Sequence, residues 1–266
     1  MTSSRGAAGR GAAARGASGR PAAFGGRDAG RLLAEGLSAL GIPDADGGPY
    51  GMRGAATLIP LLERYMRELE LFNAAFDLVG ADTRADLVVR HLLDSLAPWR
   101  PFLAALGSPS APSGAAGVPP VVADAGTGAG FPGIPLALLF PGISFTLIER
   151  MSKRCAFLEN CRAFLGLANA EILESEIERA PGGAHDAVVF RAFRPLDAAM
   201  YRSLSALTRP GGFLAAWKGR RAKIDEEMRG IESLAGRWSA EPVVVPFLDA
   251  DERHLVTIRR ADQPPG

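Results

Sequence analysis

The residues whose types and spacing promise chemistry lie in one stretch, Val121-Val122-Ala123-Asp124-Ala125-Gly126-Thr127-Gly128-Ala129-Gly130-Phe131-Pro132-Gly133-Ile134-Pro135. An apolar run ends in an acid, opens into glycines spaced by two, and continues into Leu136-Ala137-Leu138-Leu139-Phe140. That order predicts a strand, a tight turn and the start of a helix. Glycines let backbone N–H groups approach a ligand where any side chain would block it. Pro132 and Pro135 suit a first helical turn, where a missing N–H costs little. Read literally, Gly128 to Gly133 is a G-x-G-x-x-G, the pattern that cradles a dinucleotide pyrophosphate. Asp124, at the predicted strand end, would repel a pyrophosphate but attract a ligand carrying an ammonium and a sulfonium. A glycine-rich turn with no ligand is the bland alternative.

The D-x-G-x-G-x-G form of Asp124 to Gly130 is that of the first motif of S-adenosylmethionine (SAM)-dependent methyltransferases, so SAM is the expected cofactor. Such a loop needs a sheet beneath it, and from residue 120 onward strands and helices alternate as in a parallel sheet with crossover helices. Strands are predicted at 120–124, 143–148 (ending at Glu149), 170–173, 186–190 (ending at Arg191) and 213–217. Helices are predicted at 132–140, 151–166, 195–208 and 222–236. Two last strands, 242–247 and 254–260, flank the acidic turn Leu248-Asp249-Ala250-Asp251-Glu252 and suggest an antiparallel hairpin.

Ahead of the sheet the chain predicts a helical cap over 31–106, with helices at 31–40, 57–72 and 84–98. Residues 107–119 are rich in Ser, Pro, Gly and Ala and read as a flexible loop. Residues 1–30, Gly/Ala/Ser with an arginine about every fifth position, read as a disordered basic tail. That tail could add nonspecific phosphate contacts or be a mere extension; an organellar transit peptide is a third reading.

The 266 residues carry a net charge of +1, and five arginines with no acid fall within residues 1–27. The other 25 basic residues face 29 acidic ones, a net of −4, so any RNA-binding surface on the folded part is a local patch. No apolar stretch is long enough for a membrane span, and a cytoplasmic protein is expected. The three His and two Cys have no metal-ligand spacing; Cys155 and Cys161 on one predicted helix read as buried reduced thiols.

The motifs together resemble the RsmG (GidB) family, which methylates N7 of a guanine in bacterial small-subunit (16S) ribosomal RNA. The match covers about residues 55–262. Asp124 to Pro135 looks like the family's D-x-G-T-G-x-G-x-P-G-I-P, and Arg90-His91-Leu92-Leu93-Asp94-Ser95 is similar to its R-H-x-x-D-S. Phe190-Arg191-Ala192-Phe193 resembles S-R-A-F, Lys218-Gly219 the K-G after strand five, and Arg253-His254-Leu255-Val256 the closing R-H-L-V. The family's W-N-x-x-x-N-L departs here to Phe72-Asn73-Ala74-Ala75-Phe76-Asp77-Leu78, and its Asp after strand two is Glu149.

The resemblance implies a Rossmann-like SAM-dependent methyltransferase fold with a mostly parallel sheet, a C-terminal antiparallel hairpin and an N-terminal helical cap. It implies one methyltransferase domain over 31–262 and SAM contacts at Gly126, Phe131, Ile177, Glu178 and Arg191. The expected partner is small-subunit rRNA or the subunit particle, met by a monomer without metal. Independently, ligands of open α/β sheets sit beyond the carboxyl ends of the strands, where Gly126, Glu149, Ile177-Glu178 and Arg191 fall. Glu149 is either an acceptor for ribose hydroxyls or a helix N-terminal acid favoured by the dipole. Arg191 is a cofactor ligand, an RNA-phosphate clamp or a structural ion-pair partner. His91 and Asp94 are a structural pair before they are a catalytic dyad. Lys218, Arg220, Arg221 and Lys223 form a basic cluster that touches RNA phosphates or is simply solvated. Guanine N7 carries a lone pair and no proton, so the expected chemistry needs alignment and charge stabilisation rather than a general base. The segment after strand four is not the N-P-P-Y of exocyclic-amine methylation, and neither cysteine lies where pyrimidine C5 chemistry would need it.

Overall fold

The computed structural model describes residues 27–81, 83–107, 118–192 and 194–260. The expected tail up to residue 26, most of the 107–119 loop, and Phe193 of the S-R-A-F-like segment lie outside the described residues.

Helix α1 (Arg27–Ala39) starts earlier than residue 31, because Ala29, too small to read as an anchor, is buried in line with Leu33 and Leu37. Helix α2 (Ala55–Phe76) buries Leu58, Leu62, Tyr65, Met66 and Leu69 along one face. It ends at Asp77 in the left-handed conformation (φ 48°), where Asn and Asp are the tolerated non-glycine residues. The family's Asn is therefore replaced by Asp at a backbone-defined position. The Asn73 side chain accepts from the amides of Leu78 and Val79 and donates to the Val79 carbonyl, closing the helix end.

A capping box between Thr83 and Asp86 opens α3 (Arg84–Asp86), which continues through a π-helical stretch (Leu87–Leu93) into α4 (Asp94–Leu96). The single helix expected to reach residue 98 stops at 96, and an unforeseen α5 (Trp99–Leu106) follows Pro98, which stands at its N-cap.

The sheet contains β1 (Val121–Ala125), β2 (Ser144–Glu149), β3 (Ala170–Glu174), β4 (His185–Arg191), β5 (Thr208–Lys218), β6 (Ala235–Pro242) and β7 (His254–Arg260) in the order β3-β2-β1-β4-β5-β7-β6. All neighbours are parallel except β5–β7 and β6–β7, which gives the expected Rossmann-like sheet with its antiparallel C-terminal pair. The crossovers carry α6 (Gly133–Leu139), α7 (Ser152–Leu165), α8 (Ala198–Leu207) and α9 (Arg221–Gly230). Successive residues of β4 and β5 alternate between two cores. Val189, Phe213 and Ala215 face the cap and α6–α7, whereas Val188, Leu214 and Ala216 face α8–α9.

The expected strand at 242–247 is corrected. Its place is taken by β6, and the helix expected to reach 236 ends at Gly230. Beyond Pro242, the last residue of β6, Val243-Val244-Val245 runs as a loop with Val244 80% exposed, and Pro246 lacks the N–H a ladder needs. β6, in contrast, is a mostly exposed edge strand whose Arg237-Trp238-Ser239 sequence carries no apolar alternation.

Candidate active site

The sheet order turns back between β1 and β4, and the carboxyl ends of β1 to β4 open onto a cavity of about 400 Å³. Gly126, Gly128, Phe131, Glu149, Ile177 and Arg191 all line it.

The loop glycines are of two kinds. Gly126, Gly128 and Gly130 have φ of 67°, 61° and 103°, the left-handed region. A Cβ on Gly128 would meet no atom of the protein nearer than 4.0 Å, so this glycine leaves room for a ligand. A Cβ on Gly130 would lie 2.5 Å from Ile134 Cδ1 and 2.8 Å from the Tyr65 hydroxyl, and one on Gly133 would lie 2.6 Å from Asp124 Oδ2. Those two leave room for the protein itself. Tyr65 of α2 donates to the Ala129 carbonyl at 2.5 Å and packs its ring 5.4 Å from Phe131, so the cap holds the loop from above.

Asp124 does not line the cavity, which corrects its expected attraction for a cationic ligand. It is fully buried beneath the loop, where Oδ2 accepts from Thr127 Oγ1 at 2.6 Å and the Gly133 amide at 2.7 Å. Burial pushes its carboxyl up to about 6, an effect that the two hydrogen bonds partly offset.

Glu149 takes the helix N-terminal position of its second reading and also borders the cavity. Oε1 accepts from the amides of Arg150 and Met151 at the start of α7, and Oε2 accepts from Gly128 at 3.1 Å, while the residue forms part of the cavity wall. Ile177 packs in the wall with 5% of its surface exposed. Glu178 is turned away: the 3₁₀ turn Ile177–Arg179 rotates successive side chains by about 120°, and the Glu178 carboxylate pairs with Arg194 at 2.9 Å. Its neighbours Ser175 and Glu176 line the cavity instead, as does Arg154, and no sequence motif singled these three out.

Arg191 has the structural role among its three readings and still borders the cavity. Nη1 donates to Asp94 Oδ2 at 2.9 Å and to the carbonyls of Arg90 and His91, and the guanidinium lies 5.0 Å from the Phe131 ring centre. Asp94 Oδ1 accepts from Arg253 Nε at 2.9 Å, so one carboxylate joins two guanidiniums. His91 is not Asp94's partner. Its Nδ1 lies 3.3 Å from Arg191 Nη2, a donor, so Nδ1 accepts and the proton sits on Nε2. Burial, and then the Arg191 charge, push His91 down to about 4.

Arg191, His91, Ala192 and Arg194 also border a second cavity of about 750 Å³, which Trp217, Lys218, Lys223, Glu227 and Arg253 help to line. Of the basic cluster, Lys218 and Lys223 reach this space, while Arg221 pairs with Asp225 at 2.8 Å. Among the described residues no group of three His, Cys, Asp or Glu could hold a metal ion. Cys155 and Cys161 are buried free thiols, which burial pushes up.

The GidB model, described as rRNA small subunit methyltransferase G, matches residues 58–256. The chain belongs to this family. A ribosomal RNA small subunit methyltransferase G of Treponema denticola is 40% identical over 247 residues, 86% of this chain and 94% of that protein. One from Stenotrophomonas maltophilia strain K279a is 37% identical over 230 residues, 85% of this chain and 92% of that protein. Among solved structures, a SAM dependent methyltransferase from Aquifex aeolicus is a distant likeness, with a TM-score of 0.44 and 18% identity over 62% of this chain and 90% of that one. Three motifs of the RsmG (GidB) resemblance, at His91–Asp94, Arg191 and Arg253, meet in the ion network between the two cavities.

The residues of the smaller cavity fit SAM. Ile148 and Ile177 offer an apolar wall for an adenine, Glu149 a buried carboxylate for hydroxyls, and Gly126 and Gly128 bare backbone for close approach.

Proposed function

We propose that this protein transfers the methyl group of SAM to N7 of a guanine in small-subunit ribosomal RNA. The observation that carries the reading is the wall at Arg191 and His91, shared by a SAM-sized cavity and a larger, cation-lined one. Membership of the rRNA small subunit methyltransferase G family supports the same substrate.

SAM supplies an electrophilic methyl group on a sulfonium. Gly126 and Gly128 would admit it to the loop, Glu149 would accept from its ribose, and Ile177 would pack against the adenine while nearby backbone, including that of Glu178, would read the edge. Phe131 and Arg191 form the end of the chamber nearest the acceptor. An acceptor that needs no deprotonation suits this wall. The His91 Nδ1 lone pair faces Arg191, and both Asp94 oxygens are held by guanidiniums. The buried, fixed charge of Arg191 then orients the electron-rich acceptor edge without having to reorganise. The working form in this reading is a cytoplasmic monomer, one methyltransferase domain without metal, acting on rRNA or the subunit particle.

The test is incubation with SAM and small subunits lacking the modification, followed by chemical scission at N7-methylguanine. Cleavage at one guanine is expected. A methyl on an exocyclic amine, a ribose or a pyrimidine would refute the N7 assignment, and transfer to no RNA would favour a small-molecule substrate or a noncatalytic binding module.

A further inference from the structure

The larger cavity contains a donor–acceptor pair that the mechanism above does not use. Lys218, the last residue of β5, and Glu227 of α9 form an ion pair at 2.7 Å, with side chains only 18% and 22% exposed, and both line the cavity. The Lys218 ammonium also lies 5.6 Å from the centre of the Phe190 ring, so it is held from two sides. Trp217, immediately before it, is the register partner of Arg191, which places the pair one residue beyond the shared wall.

We infer that this cavity receives the acceptor purine and that the Lys218–Glu227 pair reads it as guanine. The inference rests on the proposed N7 chemistry, which fixes the register of the base by turning its N7 edge to the Arg191 wall. The next groups around the ring are O6, an acceptor, and N1–H, a donor. An ammonium beside a carboxylate is their complement in that order: Lys218 donates to O6 while Glu227 accepts from N1–H. Adenine in the same register presents an amine to the ammonium and a bare N1 to the carboxylate, two repulsive or unpaired contacts. A lysine has three N–H donors and a carboxylate has four lone-pair sites, so each can keep its partner and still bind the base. Half-burial strengthens the discrimination, because an unmatched polar group there is poorly rescued by water.

The experiment compares wild type with Glu227→Gln, Lys218→Met and the exchanged pair Lys218→Glu/Glu227→Lys. For each, kcat/KM is measured on unmethylated small subunits, SAM affinity by calorimetry, and the melting temperature by circular dichroism. Each single variant should lose about 10- to 100-fold in kcat/KM, the loss of one charged hydrogen bond, with SAM affinity unchanged. The exchanged pair should regain whatever melting temperature the single variants lose, yet remain as inactive as they are, because donor and acceptor are then in adenine order. Recovery of activity together with stability would show that the pair is structural and overturn the inference, as would single variants with undiminished kcat/KM. Product mapping on wild type separates the two levels. N7-methylguanine made equally well by the variants removes the purine pocket alone, whereas a methyl on another atom removes the underlying function.

Discussion

Asp94 Oδ2 lies 2.9 Å from Arg191 Nη1, and this pair, with side chains only 10% and 11% exposed, joins the helical cap to the end of β4. Deleting one partner of such a pair leaves the other charge buried and uncompensated, at a cost of about 3–5 kcal/mol. Asp94→Ala should therefore lower unfolding free energy by about that amount in urea titrations and reduce methyl transfer as Arg191 loses its anchor. A stability loss below about 1 kcal/mol, typical of exposed pairs, would contradict the role given to Asp94.

The buried carboxyl of Asp124 sets a pH dependence of definite sign. Its folded value of about 6 lies above the ordinary 3.8, so the folded chain holds this proton more tightly than the unfolded one. The contribution to stability is full below 3.8 and is lost as pH rises through about 6, by about 3 kcal/mol. Asp124→Asn keeps an acceptor for Thr127 and Gly133 but cannot titrate. The stability of the variant relative to wild type should therefore rise between about pH 4 and 7. Denaturation across that range checks this, and a pH-independent difference would count against it.

Gly128 and Gly130 predict different profiles. Gly130→Ala should cost about 1–3 kcal/mol of stability from the collision of its methyl with Ile134 and Tyr65, added to the backbone strain of its own positive φ. Gly128→Ala meets no such neighbour and should cost only the left-handed backbone strain, about 1–2 kcal/mol, while its methyl enters the cavity and weakens SAM binding. Calorimetric SAM titration of both folded variants decides, and equal losses of affinity would show that the two glycines do not differ in what they face.

His91, pushed down to about 4, stays neutral through the working range. Its contribution to stability is full above the ordinary 6.5 and is lost as pH falls toward 4. Methyl transfer should accordingly show no inflection between about pH 5.5 and 8 that disappears in His91→Gln. Such an inflection would assign His91 a proton-transfer role.

The sheet was legible in the sequence because its strands are buried on both faces and read as continuous apolar runs, as at Ala187-Val188-Val189-Phe190. β6 was not, since an edge strand with exposed Arg237 and Trp238 carries no such signal, and the apolar Val243–Val245 looked like the better strand. At the site, the positions of Gly126, Glu149, Ile177 and Arg191 followed from the ends of strands. The roles of Asp124 and Glu178 did not, because which way a carboxylate turns is settled by tertiary neighbours. Asp124 turns beneath the loop toward Thr127 and Gly133, and Glu178 outward toward Arg194. Tyr65 was visible only as a core residue, since its hydrogen bond to Ala129 spans 64 positions.

The place of β7 bears on how the molecule comes into being. Among the described strands the last in sequence is an interior one, inserted between β5 and β6, and Arg253 just before it reaches back 159 positions to Asp94. Until that segment emerges, the nascent chain has β5 as an open edge and Asp94 without its second guanidinium. A stop codon just before residue 253 would spare every glycine of the loop yet remove the strand that lies between β5 and β6, so such a truncation should behave as loss of the enzyme.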